Sequence, residues 1–224
     1  MKEKIAMADY WRDDAKTDGM APGNYADTLA FIGKNVDPAA SFVLDVGCNR
    51  GWLAGFFSNY VGLDNNPAAI KEARAYWSDK KGWTKKDSEN YFRVWDANNP
   101  TSLGRKFDLV ICKDIIEHVA SGHSLMTWIR KVLKPNGFLL LISPDAQRWI
   151  WDDPTHLRPF SRRAHRMLAK AHGFKIVYES FESVMPGTQI AARFFGGRSP
   201  WPIRVLTCIR WWPRNVVTLM RVSE

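Results

Sequence analysis

Residues 41–57, SFVLDVGCNRGWLAGFF, carry a short apolar run into two glycines and then into a second apolar run. A buried strand that ends in a glycine turn lets backbone approach something bound, so this stretch limits both the fold and the place of a ligand. Further strand-like runs follow at YVGLD (60–64), YFRVWD (91–96), FDLVICKD (107–114), FLLLISP (138–144), FKIVYESFE (174–182) and NVVTLMRV (215–222). Between them GWLAGFFSNY (51–60) reads as a short helix, and PAAIKEARAYW (67–77) as a helix with Pro67 in its first turn. SDKKGWTKKDSEN (78–90) reads as a polar loop, and LMTWIRKVL (125–133) as a helix closed by KPNG. SRRAHRMLAKAHG (161–173) has a Ser N-cap and a Gly stop. This alternation predicts an α/β fold: a Rossmann-like, doubly wound, mostly parallel sheet with an antiparallel closing strand, binding ligands at the carboxyl ends of its strands.

With 224 residues, 46% of them hydrophobic, the chain can bury one full core. Cys48, Cys112 and Cys208 form no CxxC pair, which argues against a cysteine-built zinc site or a disulfide framework. MKEKIAMADYWRDD has no apolar signal-like core and no run approaches a membrane span, so the expectation is a soluble, cytoplasmic protein. The net charge of +9 has one location. Residues 1–157 hold 20 basic and 20 acidic residues, whereas 158–224 hold 12 basic residues against three acids. Such an excess suits nucleic acid, anionic lipid or a phosphorylated substrate, or is a solvated face.

The turn itself excludes two ligands. The dinucleotide pattern GxGxxG meets Gly47, Asn49 and Trp52, and the phosphate loop GxxxxGK[ST] meets Trp52 and Leu53 where Gly and Lys are needed. Asp45 would repel a pyrophosphate but favour a ligand carrying an ammonium and a sulfonium, as S-adenosylmethionine (SAM) does. Asp64 and Asp96 end the next two strands, where carboxylates can accept from ribose hydroxyls and an adenine amine.

VLDVGCNRG, VGLDNNP, VWDA, FDLVICKDIIEHV and IRKVLKPNGFLLLISP together resemble the class I SAM-dependent methyltransferases, in the family's order and approximate spacing over residues 40–182. The resemblance implies SAM as cofactor. It implies that Asp45, Gly47 and Gly51 shape the methionine end, with Cys48 and Asn49 among the cofactor-binding residues of the same turn, that Asp64 holds the ribose, and that Asn65 lies beside the adenine. Asp96 and Ala97 would read the adenine edge, and the backbone of Cys112 and Lys113 would face the methionine amino group. Asn49 departs from the family's usual glycine, but asparagine tolerates positive φ, so the turn can survive.

KDIIEHV places Asp114, Glu117 and His118 within one turn, with Asp114 and Glu117 on one helical face. His118 is a candidate general base, and His156, in the loop WDDPTHLRPF, stands where the family usually builds its acceptor pocket. Asp114, Glu117, His118 and His156 are thus the catalytic candidates. Their combination is similar to that of magnesium-dependent small-RNA 2′-O-methyltransferases, but Val119 replaces a second histidine, so no metal is expected. His165 and His172 read as surface or packing residues.

Four segments follow: a helical flap at 1–40 bearing Tyr10, Trp11 and Tyr25, a SAM-binding core at 41–182, a basic Trp-rich insert at 183–214, and a closing strand at 215–224. The insert, with Trp201, Trp211, Trp212, Arg204 and Arg210, reads as a lid, an oligomer contact, an interfacial anchor over 198–214, or packing. The expected activity is methyl transfer from SAM to an oxygen or nitrogen of a small-molecule acceptor such as a sugar, lipid-linked or secondary-metabolite hydroxyl. RNA is the second acceptor class, and a non-catalytic adaptor the third reading.

Overall fold

Strict alternation of side chains along β-strands assigns each residue of a central sheet to one of two cores. The computed structural model describes residues 32, 33, 35–183, 212 and 214–223. Its strands are β1 (Phe42–Val46), β2 (Asn59–Asp64), β3 (Phe92–Val94), β4 (Phe107–Lys113), β5 (Leu133–Pro144), β6 (Phe174–Ser183) and β7 (Arg214–Val222). They form one sheet in the order β3-β2-β1-β4-β5-β7-β6. The first five strands are mutually parallel, and β7 runs antiparallel to both β5 and β6. This is the fold the sequence predicts. Strand order reverses between β1 and β4, so the loops leaving their carboxyl ends diverge and open a crevice there.

On one face Leu44, Leu63, Val110 and Leu141 pack against α3 (Gly122–Val132) and α4 (Arg162–Ala171). On the other, Val43, Leu109 and Ile111 meet Ile70, Ala73 and Trp77 of α1 (Pro67–Lys81). Leu125, Met126 and Ile129 of α3 are fully buried, each worth about 1.5–3 kcal/mol relative to exposure, which fixes α3 against β5 and the turn that follows β4.

Several elements differ from the sequence expectation. Within 51–60 only a 3-10 turn forms, Trp52–Gly55, because Gly51 has φ 70 and Asn59 and Tyr60 join β2 beside Phe42 and Val43. The expected loop 78–90 is mostly helical: α1 continues to Lys81 and stops at Gly82 (φ 65), and α2 (Lys85–Tyr91) follows. Thr84 and Asp87 close a reciprocal capping box at its start, which offsets the lack of an apolar face. Helix α3 begins earlier than expected, capped by Ser121.

His165 is wholly buried between Ser143 Oγ (2.8 Å) and Thr218 Oγ1 (2.9 Å), and burial lowers its pKa to about 3. It is a neutral wedge tying α4 to β5 and β7. The expected flap residues Tyr10, Trp11 and Tyr25 lie outside the described residues, as does the insert apart from Ser183, Trp212 and Arg214. No helix among the described residues is long and apolar enough to cross a membrane.

Candidate active site

Three left-handed residues shape the loop after β1: Gly47 (φ 81), Asn49 (φ 48) and Gly51 (φ 70). The expectation that Asn49 would take the glycine conformation is met. A Cβ on Gly47 would fall 2.2 Å from Ile115 Cδ1, and one on Gly51 2.2 Å from Phe92 Cε1, so backbone approach requires glycine at both. The amides of Gly47 and Cys48 donate to Leu63 O at 2.8 and 3.0 Å. Asp64 then completes the turn from the neighbouring strand. Its Oδ2 accepts from Asn49 N and its Oδ1 from Asn66 N, both at 2.8 Å. Burial raises its pKa, and the amides of Asn66, Asn49 and Asn65 oppose that rise. Asn66 caps α1 by accepting from Ala68 N and Ala69 N.

Asp45 sits beneath this loop and accepts from the Tyr60 hydroxyl at 2.6 Å. Burial raises its pKa to about 7, against the lowering effect of Tyr60. Cys48 and Cys112 are buried, and burial pushes both thiols upward. Asp96 shapes the turn after β3, accepting from Asn98 N at 2.9 Å and Asn99 Nδ2 at 3.3 Å. A cleft opens above, lined by Gly47, Asn65, Trp95, Asp96, Ala97, Ile115 and His118 among others.

Beyond β4 the backbone turns sharply at Asp114 (φ 52) and then forms a 3-10 turn, Ile116–His118. Asp114 and Glu117 therefore do not share a helical face as expected, although Asp114 still raises the Glu117 pKa electrostatically. Glu117 has no solvent exposure, and neither carboxylate oxygen has a hydrogen-bond partner. Burial is the chief reason its pKa lies well above the usual carboxylate range. Leu157 N donates to Glu117 O at 2.8 Å, drawing in the loop that carries His156. The His118 and His156 rings lie 4.7 Å apart between centroids. His118 Nε2 is 4.0 Å from Glu117 Oε1. Burial lowers the His118 pKa, so both partners of that approach favour their neutral forms and it is not an ion pair.

The His118 tautomer follows from its neighbours. The Thr155 hydroxyl donates its one proton to Asp153 Oδ1 at 2.6 Å, so at 3.1 Å from His118 Nδ1 it can only accept. Thr155 O, 3.2 Å from the same nitrogen, also accepts. Nδ1 carries the proton and Nε2 the lone pair. His156 Nδ1 donates to Ile150 O at 2.6 Å, with the same result.

Three contacts tie this region to the antiparallel hairpin. Lys113 Nζ meets Glu182 at 3.2 Å, Asn215 Nδ2 donates to Asp114 Oδ1 at 3.4 Å, and buried Arg214 pairs with Asp145 at 2.8 Å. Arg214 and Arg162 stack at 3.6 and 4.0 Å from the Phe181 ring centroid.

A family model described as a methyltransferase domain matches residues 18–179. The chain belongs to the class I SAM-dependent methyltransferases. As a methyltransferase of this family it is an enzyme that uses SAM. It is 31% identical over 102 residues to the ubiquinone biosynthesis O-methyltransferase of Cereibacter sphaeroides (strain ATCC 17025), covering 44% of this chain and 39% of that protein. The Thiobacillus denitrificans protein of the same name is 30% identical over 117 residues, covering 50% and 47%. The chain thus spans less than half the length of these relatives. Its fold matches a chain of the complex between the Haloferax volcanii Trm112 methyltransferase activator and a methyltransferase, with TM-score 0.70, 18% identity, and 97% and 98% coverage. It also matches magnesium protoporphyrin IX methyltransferase from Synechocystis with bound S-adenosylhomocysteine (SAH), at TM-score 0.62, 14% identity, and 90% and 83% coverage.

Of the residues expected to bind SAM, Gly47, Asn65, Asp96 and Ala97 line the methyltransferase cleft, together with the catalytic candidate His118. Asp45, Cys48 and Cys112 lie buried behind it, and Asn49, Gly51 and Asp64 build the turn at its edge. Lys113 and Asp114 point toward the hairpin, while Glu117, His118 and His156 converge beside the cleft. Sequence reasoning missed Tyr60, Asn66, Asp153 and Thr155. Only Asn66 had a local signal, as an Asn directly before a Pro that opens a helix.

Proposed function

We propose that this methyltransferase transfers the SAM methyl group to a hydroxyl oxygen of a small-molecule acceptor. The observation that carries this reading is His118, whose ring lines the cofactor cleft and also adjoins Glu117 and His156. In the transfer, the acceptor oxygen bonds to the methyl carbon as the carbon–sulfur bond breaks, its electron pair staying on sulfur to leave SAH. A sulfonium methyl is already activated, so alignment supplies much of the rate, about 7–11 kcal/mol in well-oriented systems. A hydroxyl must also lose its proton. The side chains of His118, His156 and Glu117 beside the cleft supply groups that favour this loss, and an amine acceptor would need them less. The names of the relatives, which specify O-methylation, support the same class of chemistry.

The test is incubation with methyl-labelled SAM and separate panels of phenolic and catecholic hydroxyls, aliphatic hydroxyls, amines and single-stranded RNA, with products located by mass spectrometry. O-Methylation of a small hydroxyl compound is expected. Transfer confined to amines or to RNA refutes the proposal.

A further inference from the structure

We propose that Glu117, His118 and His156 form a binding site for one divalent first-row transition-metal ion in the wall of the cofactor cleft. One ligand atom from each of the three side chains lies within 4.8 Å of those from the other two. They come from two segments that the fold draws together, the turn after β4 and the loop before α4, through the Leu157-to-Glu117 backbone bond and the Thr155 contacts to His118.

Three independent features suit a cation. Glu117 is fully buried with both oxygens unpartnered, an arrangement that costs several kcal/mol unless the charge is neutralised. A bound metal ion would supply that neutralising charge. Both histidines donate from Nδ1 to backbone carbonyls, which leaves Nε2 as the coordinating nitrogen and fixes each ring, the usual outer arrangement around a metal-bound imidazole. Asp153 Oδ2 lies 3.8 Å from His156 Nε2 and brings a second carboxylate to the rim.

The donor set selects the metal. Two imidazoles and one carboxylate suit Mn²⁺ through Zn²⁺, whereas Mg²⁺ and Ca²⁺ prefer oxygen alone. Three protein ligands leave coordination positions open, as in catalytic sites. His118 lines the cleft, so those positions adjoin the methyl donor. The role of the ion rests on the O-methyltransferase reading: a hydroxyl held there would release its proton to water more readily before attacking the methyl carbon. Binding of the ion does not depend on that role. The inference replaces the direct proton transfer to His118 expected from sequence.

The experiment uses tag-free protein stripped by chelator and dialysed, then titrated with Co²⁺, which reports through visible absorption, with Zn²⁺ and Mg²⁺ as competitors. SAH calorimetry and thermal melting run in parallel. Wild type is expected to bind one Co²⁺, to yield it to Zn²⁺ but not to equimolar Mg²⁺, and to melt higher with metal than without. Glu117→Gln and His156→Ala should each weaken Co²⁺ binding by at least about tenfold, the lower end of the loss on removing even an outer-shell partner. SAH affinity should hold within about threefold in both variants. Metal-free Glu117→Gln should melt no lower than metal-free wild type, since the substitution removes an unpartnered carboxylate. The inference fails if wild type that binds SAH gives no Co²⁺ spectrum, or if both variants bind Co²⁺ as wild type does. Loss of SAH binding by wild type would refute the methyltransferase reading, while the Co²⁺ titration would still decide the metal site.

Discussion

Asp64→Asn separates a carboxylate that only meets the cofactor from one that also builds its cradle. Each Asp64 oxygen accepts a backbone N–H at 2.8 Å, from Asn49 on one side and Asn66 on the other. An asparagine retains one acceptor oxygen and turns an NH2 group toward the second amide, so one bond is lost and two donors face each other. A hydrogen bond to a charged group contributes about 1.5–3 kcal/mol. Felt wholly in ligand binding, that loss weakens SAH by roughly 10- to 150-fold, at 1.4 kcal/mol per tenfold. The binding share should be large because the loop holds three left-handed residues in five, and without Asp64 the ligand itself must order it. The assay is SAH titration calorimetry beside thermal melting of the ligand-free protein. An affinity within about twofold of wild type at an unchanged melting temperature would refute the reasoning, because the carboxylate would then hold neither loop nor ligand.

Gly51→Ala should destabilise the fold by roughly 2–5 kcal/mol, combining about 1–2 for a left-handed alanine with about 1–3 for overpacking. Its Cβ would meet the buried Phe92 ring at 2.2 Å, and urea unfolding should record a lower midpoint. Asp45 has a folded pKa of about 7 against an ordinary 3.8, so between those values the folded protein holds the extra proton. That contribution is complete below about pH 3.8 and is lost as pH rises through 7, so ligand-free stability should fall across this window more steeply in wild type than in Asp45→Asn. Parallel slopes in urea titrations would contradict it. Calorimetry should also show SAM binding tightening as pH rises toward 8, if the ionised carboxylate meets the ammonium.

Much of the frame was legible because buried parallel strands are continuous apolar runs. FVLDV and YVGLD can hardly be anything else, and the order of their terminal acids carried the cofactor reading. Helix α2 was not legible. In KKDSENY only Ser88 is buried, so no apolar period exists, and the helix rests on the capping box at Thr84 and Asp87. Asp114 misled for a related reason: its left-handed φ comes from the close turn out of β4, not from its own propensity. The meeting of Glu117 with His156 is a tertiary event across 39 positions, and the sequence cannot reveal that Glu117 is left without a hydrogen-bond partner.

The hairpin of β6 and β7 has a further consequence. Lys113–Glu182, Asp114–Asn215 and Asp145–Arg214 join residues 69, 101 and 69 positions apart, all across the seam between the parallel strands and the antiparallel pair. The glycine loop and its strand-end acids lie entirely on the parallel side, through β1, β2 and β3. A partial opening that peels β7 from β5 would therefore release the hairpin's contacts with Lys113, Asp114 and Asp145 and leave the glycine loop intact. Amide exchange across β6 and β7 then reports on this seam apart from the glycine loop. SAH bound at the glycine loop should leave it nearly unchanged, and the outer sheet becomes a second, separately opening unit.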